Sequence, residues 1–552
     1  MKFDEFLRNS LGEIGKFQLI QLCITNFPIF ILSIDAYSWS FASIEPTFRC
    51  KFPNDTGKYQ TDLLTFSKCY DRKTEERKNI SEWGKQDILC DYSEKCEMAN
   101  SVCSEHVFDH SFRDYTATEK WDFVCDYSWM ASTIQSVYYL GMMIGSFAFG
   151  VIGDRCGRKI AFYTTLVLQI PFGFILAFSP YWWLYMFARF MFGISHAGTF
   201  LLSSVLGMES FGPKYRKSAS TAIGIFSCFG MICLGVIEMY VTNFTYVHLI
   251  CAIPTVLYLS YWWLVPESIR WLVSKQKFEN ADRVIRKAAK LNGREIKDGW
   301  WEELSNSSSG KEGAKTLTVL DLFRTPKIRR RTLVLMFVWP VTSCVYYGFS
   351  LKSNVLGGDL YLTFLVATCC EIPGILLSHF LIDLIGRKIL LAGCHAIATA
   401  ALAASLIMGD NLGFTYTVIQ MAIAKGSITA AFCVAYTYSP ELYPTPIRNR
   451  AMGVLLFLTR FGGIMASYIS MYISERYGKI YMVLPFAICS AIVAALTLIF
   501  LPETKGEPMP DYLEDIENPE NQENNNETDD ERSDKGGESV KSTDNENNTN
   551  TV

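Results

Sequence analysis

Charge is scarce in this sequence. Asp, Glu, Lys and Arg make up only 19% of its 552 residues, while half are hydrophobic; soluble domains carry about 25% charged residues. That shortage argues against a purely soluble assembly. The sequence also lacks a nucleophile–base set, a metal-ligand cluster and a phosphate-binding loop, so it points to no enzyme, no metal and no cofactor. No segment has the ten-residue alternation of a membrane barrel. Present instead are apolar stretches of about 20 residues or more, enough to cross about 30 Å of hydrocarbon. The chain reads as an all-α polytopic membrane protein, because irregular backbone facing lipid would leave amides unpaired.

Hydropathy places twelve spans, near residues 18–42, 131–152, 160–178, 181–206, 218–241, 247–265, 332–350, 360–382, 389–408, 413–438, 451–473 and 480–501. Asp4, Glu5 and Glu13 precede the first span, which is too long for a signal core, so it is expected to be retained. The net charge of −4 is an average over two regions. Residues 503–552 hold 16 Asp and Glu against 4 Lys and Arg, which leaves residues 1–502 at +8.

Short loops set the expected orientation. One set carries Arg155, Arg158, Lys159, Lys214, Arg216, Lys217, Arg387, Lys388, Arg448 and Arg450; the other has mainly Lys352, Arg476 and Lys479. The first set is expected to be cytoplasmic, with both termini, in a plasma-membrane protein. The chain then divides into a terminus (1–17), a six-span half (18–265) with a long outer loop (43–130), a cytoplasmic loop (266–331), a second half (332–501) and an acidic tail (502–552).

The outer loop holds Cys50, Cys69, Cys90, Cys96, Cys103 and Cys125. An even count in an oxidising compartment suggests three disulfides, with fifteen pairings open. The spacings lack the CxxC pairs of a zinc site. Asn54 and Asn79 are expected glycosylation sites, and Asn243 is a further sequon; Asn306 and Asn526 match but are expected to face the cytosol. A basic helix is expected around Phe278–Leu291, a flexible stretch at Ser305–Gly313, and disorder beyond Tyr512. The basic residues suit a solvated membrane surface better than nucleic acid.

Gly153-Asp154-Arg155-Cys156-Gly157-Arg158-Lys159 follows the second span, and Asp383-Leu384-Ile385-Gly386-Arg387-Lys388 follows the eighth. Recurrence six spans apart argues for two homologous halves. Glycine lets helices approach, and the Asp is placed to sit at a neighbouring helix N-terminus.

This repeat resembles the hallmark loop of the major facilitator superfamily, as do Pro266-Glu267-Ser268-Ile269-Arg270-Trp271 and Pro502-Glu503-Thr504. The cysteine-rich loop, Trp121-Asp122-Phe123-Val124-Cys125 and Glu441-Leu442-Tyr443-Pro444-Thr445-Pro446-Ile447-Arg448-Asn449 resemble, together, the organic cation/anion/carnitine transporter family. The resemblance runs to about residue 512. It implies a twelve-helix fold and a gating network of Asp154, Arg155, Arg158, Glu267, Arg270, Asp383, Arg387, Glu441, Arg448 and Glu503. Each of these is also readable as an ordinary surface ion-pair partner.

Ionisable groups inside spans are functional candidates: Asp35, Arg189, Glu238, Glu371, Lys425 and Arg460, with Glu209 at an inner edge. Each is also readable as half of an internal ion pair. Arg189 is read as structural, because a span-four arginine recurs across the superfamily, and Asp35 and Glu238 as outer-half groups within reach of water. The resemblance implies that Arg460, in Thr459-Arg460-Phe461-Gly462-Gly463, marks an anion or carnitine carrier; cation carriers have an acid there. A guanidinium holds a carboxylate bidentately. Lys425 fits the same branches. Glu371 is followed by Ile375 where anion carriers have Lys, so both signs are on offer, which suits a zwitterion. Phe200, Trp339, Tyr346, Tyr347, Phe432 and Tyr436 match aromatic or pocket positions of the family, and aromatic faces hold quaternary ammonium.

The expected substrate is thus a small organic ion, carnitine-like zwitterions first and other organic cations or anions next. A sugar–proton symporter fits less well, since the seventh span lacks paired glutamines, and a non-transporting receptor has no need of the gate motifs. Coupling to sodium, to protons or to nothing is left open by the sequence.

Overall fold

The computed structural model describes residues 11–50, 106–111, 113–296, 299–301, 319–353, 359–408 and 414–507. Among the described residues, twelve helices are long and apolar enough to cross a membrane: Lys16–Ala42, Cys125–Cys156, Arg158–Phe178, Trp182–Ser210, Arg216–Tyr240, Phe244–Leu264, Pro326–Leu351, Leu360–Ile385, Arg387–Ile407, Val418–Glu441, Ile447–Tyr477 and Ile480–Phe500. Each answers to one expected span. Several run longer than expected, because helix continues past the apolar stretch; the second begins at Cys125 rather than 131.

Sequence leaves marks on individual spans. Pro254 lies in the sixth, which tightens into a 3₁₀ stretch at Val256–Ser260, as a missing amide favours. The eleventh carries a π-turn at Tyr468–Ile473. Between the second and fourth spans, glycines bring backbones into contact. A Cβ on Gly141 or Gly145 would lie 2.2 or 2.1 Å from the carbonyl oxygen of Phe190 or Ile194, and one on Gly193 would lie 2.3 Å from that of Tyr138. This is the small-residue packing that apolar solvent requires.

One core in the second half gathers Leu335, Trp339, Tyr438 and Val483. Another, around Trp39, Tyr138 and Phe192 in the first half, takes in Leu351, Phe364 and Ile375 from the second, so the halves share it. The end of the bundle bearing the repeated basic loops is called here the basic end, and the opposite one the loop end.

At the basic end the expected helix forms as Phe278–Asn292, after a short helix Ile269–Ser274. Asn292 docks it on the first span, accepting from the Phe17 amide at 2.9 Å and donating to Leu11 O at 3.0 Å. Leu11, Phe17, Trp271, Ile285 and Trp300 pack beneath.

At the loop end, Phe48–Cys50 and His106–Phe108 pair antiparallel, Phe48 opposite Phe108. Cys125 is disulfide-bonded; the side chains of Cys50, Cys69, Cys90, Cys96 and Cys103 lie outside the described residues, as do Asn54, Asn79, Asn306, Asn526, Ser305–Gly313 and the tail beyond Tyr512. Asn243 caps the sixth helix, accepting from the Thr245 amide.

Candidate binding site and gates

Most of the ionisable groups of the spans resolve into pairs. Glu238 accepts from Arg113 at 2.6 Å, with both side chains 1% exposed. Asp35 meets His248 Nδ1 at 3.0 Å. Both acids are buried and partnered, contrary to the expected access to water; their partners arrive from the segment before the second span and from the sixth span. Arg189 is structural by its contacts: it donates to Asp35 O, Ser38 Oγ and Tyr185 OH, and the rings of Trp39, Tyr138 and Tyr185 surround it.

Glu371 lies 3.2 Å from Lys425, both 2% exposed, and also accepts from Tyr346 OH at 3.0 Å. Lys425 sits 3.6 Å from the centre of the Tyr346 ring and donates to Tyr346 O and Ser350 Oγ. Its ammonium is therefore fully engaged.

Arg460 differs. Its Nη1 donates to Tyr347 OH at 3.0 Å, and its Nε, buried, has no hydrogen-bond partner. Asp35, Glu238 and Glu371 are all taken by other groups, so no carboxylate pairs with this guanidinium among the described residues.

Rings connect the two charged centres. Tyr346 stacks on Phe432 at 5.5 Å and meets Tyr347 at 5.3 Å; Phe432 meets Tyr436 at 5.3 Å. Tyr346, Tyr347, Phe432 and Tyr436 are half-buried. Trp339 is fully buried behind Phe432 and Tyr436, donating to Ser439 Oγ at 2.9 Å. The structure thus brings eight of the nine expected substrate-binding residues together. Phe200, half-buried in the fourth span, makes no ring contact with this cluster among the described residues.

The second span adds Tyr139, which reasoning from the sequence missed. Its ring lies 4.9 Å from that of Tyr347 and packs on Gly463. Polar and aromatic residues spaced by four in an apolar span were the available signal.

A cavity of about 280 Å³ opens above the cluster at the loop end, lined by Ser43, Ser128 and Ala131 from one half and by Lys352, Met471 and Glu475 from the other. Lys352 pairs with Glu475 there.

At the basic end the repeated loops fold alike. Gly157 and Gly386 have φ of +117° and +104°, where L side chains are strained. The space beside each holds a carboxylate, Glu267 at Gly157 and Glu503 at Gly386. Glu267 accepts from the Lys159 amide at 3.0 Å, and Glu503 from the Arg387 and Lys388 amides at 2.8 and 3.1 Å. These glutamates, rather than the loop aspartates, cap the third and ninth helices, because they return from after the sixth and twelfth spans onto unpaired N–H groups. Burial opposes ionisation of Glu503, but the amides of Arg387, Lys505, Thr504 and Lys388 outweigh it and hold its carboxyl below the usual range.

Asp154 takes Arg158 at 2.5 Å, and Arg158 reaches toward Glu209 at 3.9 Å. Arg387 pairs with Glu441 at 3.1 Å and Asp383 at 3.5 Å. Arg448 donates to Tyr443 O, Arg155 is exposed, and Arg270 is half-buried. The halves are joined by Lys217 on Asp383 at 2.5 Å and by Thr221 with His379 at 2.9 Å.

Residues 89–515 match the family model described as sugar (and other) transporter. The chain is 31% identical to an organic cation transporter protein of Drosophila melanogaster, over 94% of this chain and 95% of that one. It is 31% identical to the organic cation/carnitine transporter 2 of Homo sapiens, over 73% of this chain and 72% of that one. The inward-open xylose transporter of E. coli shares the fold, with a TM-score of 0.56 at 15% identity, over 89% of this chain and 98% of that one. Twelve helices in two halves, a repeated glycine–glutamate device and this likeness over most of its length place the chain in the organic cation/anion/carnitine transporter family of the major facilitator superfamily.

Proposed function

We propose that this protein carries small carboxylate-bearing organic ions across the plasma membrane by alternating access, its basic end facing the cytosol. The observation that carries this reading is Arg460, a buried guanidinium without a carboxylate partner among the described residues. A charged donor held in a poorly solvated site recognises a carboxylate strongly. The site's net charge is positive, because Lys425 offsets Glu371. Carnitine-like zwitterions fit first, with the carboxylate on Arg460 and the ammonium against Tyr346, Tyr347, Phe432 and Tyr436. The name of the human relative agrees with this choice.

A second reading is an organic anion carrier. It is favoured by the Glu371–Lys425 pair, which removes the free negative charge a cationic end would seek.

Uptake of labelled carnitine, tetraethylammonium and an aryl carboxylate separates the cases. Carnitine uptake that Arg460→Ala abolishes supports the first reading, and aryl carboxylate uptake alone supports the second. Robust tetraethylammonium uptake that Arg460→Ala leaves unchanged would sink both.

A further inference from the structure

Gln135 of the second span is 0% exposed; its amide nitrogen and oxygen have no partner within close hydrogen-bond geometry, although the Tyr139 hydroxyl interacts with the amide. Ser132, one turn earlier, is equally buried, and its hydroxyl is also unpartnered. Burying an amide without a close partner destabilises the fold. Packing alone gives no reason to keep one, since Met or Leu would fill the same volume without that cost.

Its position supplies a reason. Ala131, Gln135 and Tyr139 recur at intervals of four and so share one face of the helix. Ala131 lines the loop-end cavity. Tyr139 belongs to the ring cluster at Arg460, beside Tyr347. Gln135, adjacent to Tyr139, therefore stands between the cavity and the central site, on the face turned toward the second half.

We propose that Gln135 contacts the substrate and determines specificity, its amide hydrogen-bonding an uncharged polar group, a hydroxyl or carbonyl, while the carboxylate engages Arg460. This rests on the carboxylate reading of Arg460 and deepens it. The favoured substrate carries a neutral hydrogen-bonding group as well as its charge.

The test uses probe pairs that differ in a hydroxyl: carnitine against 4-(trimethylammonio)butyrate, 3-hydroxybutyrate against butyrate, and choline against ethyltrimethylammonium. The wild-type chain should favour the hydroxylated member of whichever pair it carries by roughly three- to tenfold in kcat/KM, as one hydrogen bond provides. In Gln135→Met that preference should fall to about one, with thermal stability little changed, since the amide makes no close hydrogen bond within the protein. Absence of a preference in the wild type, its survival in Gln135→Met, or an equal fall for both members with a lowered Tm would each overturn the proposal. Transport of the choline pair alone, with its preference lost in the variant, would uphold Gln135 while refuting the carboxylate reading. Failure to carry any pair would refute both.

Discussion

Arg113 and Glu238 form an ion pair sealed from solvent, 2.6 Å apart, that fastens the segment leading into the second span to the loop-end part of the fifth. Tyr361, at the start of the eighth span, accepts a second donor from the same guanidinium at 3.4 Å. Removing one member strands a buried charge, which costs about 3–5 kcal/mol, whereas replacing both with apolar groups is often close to neutral. Arg113→Met and Glu238→Leu should each lower the Tm of detergent-solubilised protein markedly. The double variant should recover most of the loss; a double variant no better than the singles would show that the pair matters for more than mutual neutralisation.

Lys217 and Asp383 differ in kind, being partly exposed and joining opposite halves. Exposed pairs contribute about 0–1 kcal/mol, so Asp383→Asn should leave Tm nearly unchanged. What it should alter is the balance between conformations, because the contact ties the two halves together at the basic end. Uptake Vmax is expected to fall several-fold with KM little affected, and the exchange Lys217→Asp with Asp383→Lys should restore much of it. Asp383→Asn transport kinetics identical to wild type would argue against a gating role for this bridge.

Gly157 and Gly386 should tolerate no side chain. An added Cβ would lie 2.3 Å from Glu267 Oε2 or 2.6 Å from Glu503 Oε2, at φ values that already disfavour it. Alanine at either position should cost about 1–3 kcal/mol, read as a lowered Tm. Equal losses at the two sites would match the repeat.

Glu503 provides a pH signature. Its carboxyl is held below the usual range in the folded chain, so the stability it contributes is present above the unfolded value of about 4.3 and is lost as pH falls through the folded one. The Tm difference between wild type and Glu503→Gln should therefore stay constant from pH 8 to about 5 and close at more acidic pH. A gap that widened with acid would contradict the sign.

Much of this was legible in the chain itself. Span number and the repeated loops follow from hydropathy and local motif, and the roster of intramembrane charges is a matter of reading letters. Partners were not legible. Arg113 and Glu238 are 125 residues apart, and His248 meets Asp35 across 213; such pairings are set by which helices pack together. The aspartates of the loops looked like helix caps because they are near in sequence, while the glutamates that do the capping return from about a hundred residues away. Gln135 escaped notice because an uncharged amide hardly perturbs the hydropathy of its span.

The backbone contacts between the second and fourth spans have a mechanical meaning. Helices that meet through glycine have no side-chain layer to shear, so the second span cannot tilt without taking the fourth with it. Tyr139, pressed on Gly463 of the opposite half, is thus attached to a stiff lever rather than to a lone helix. A displacement of Tyr139 would therefore be shared by the second and fourth spans together.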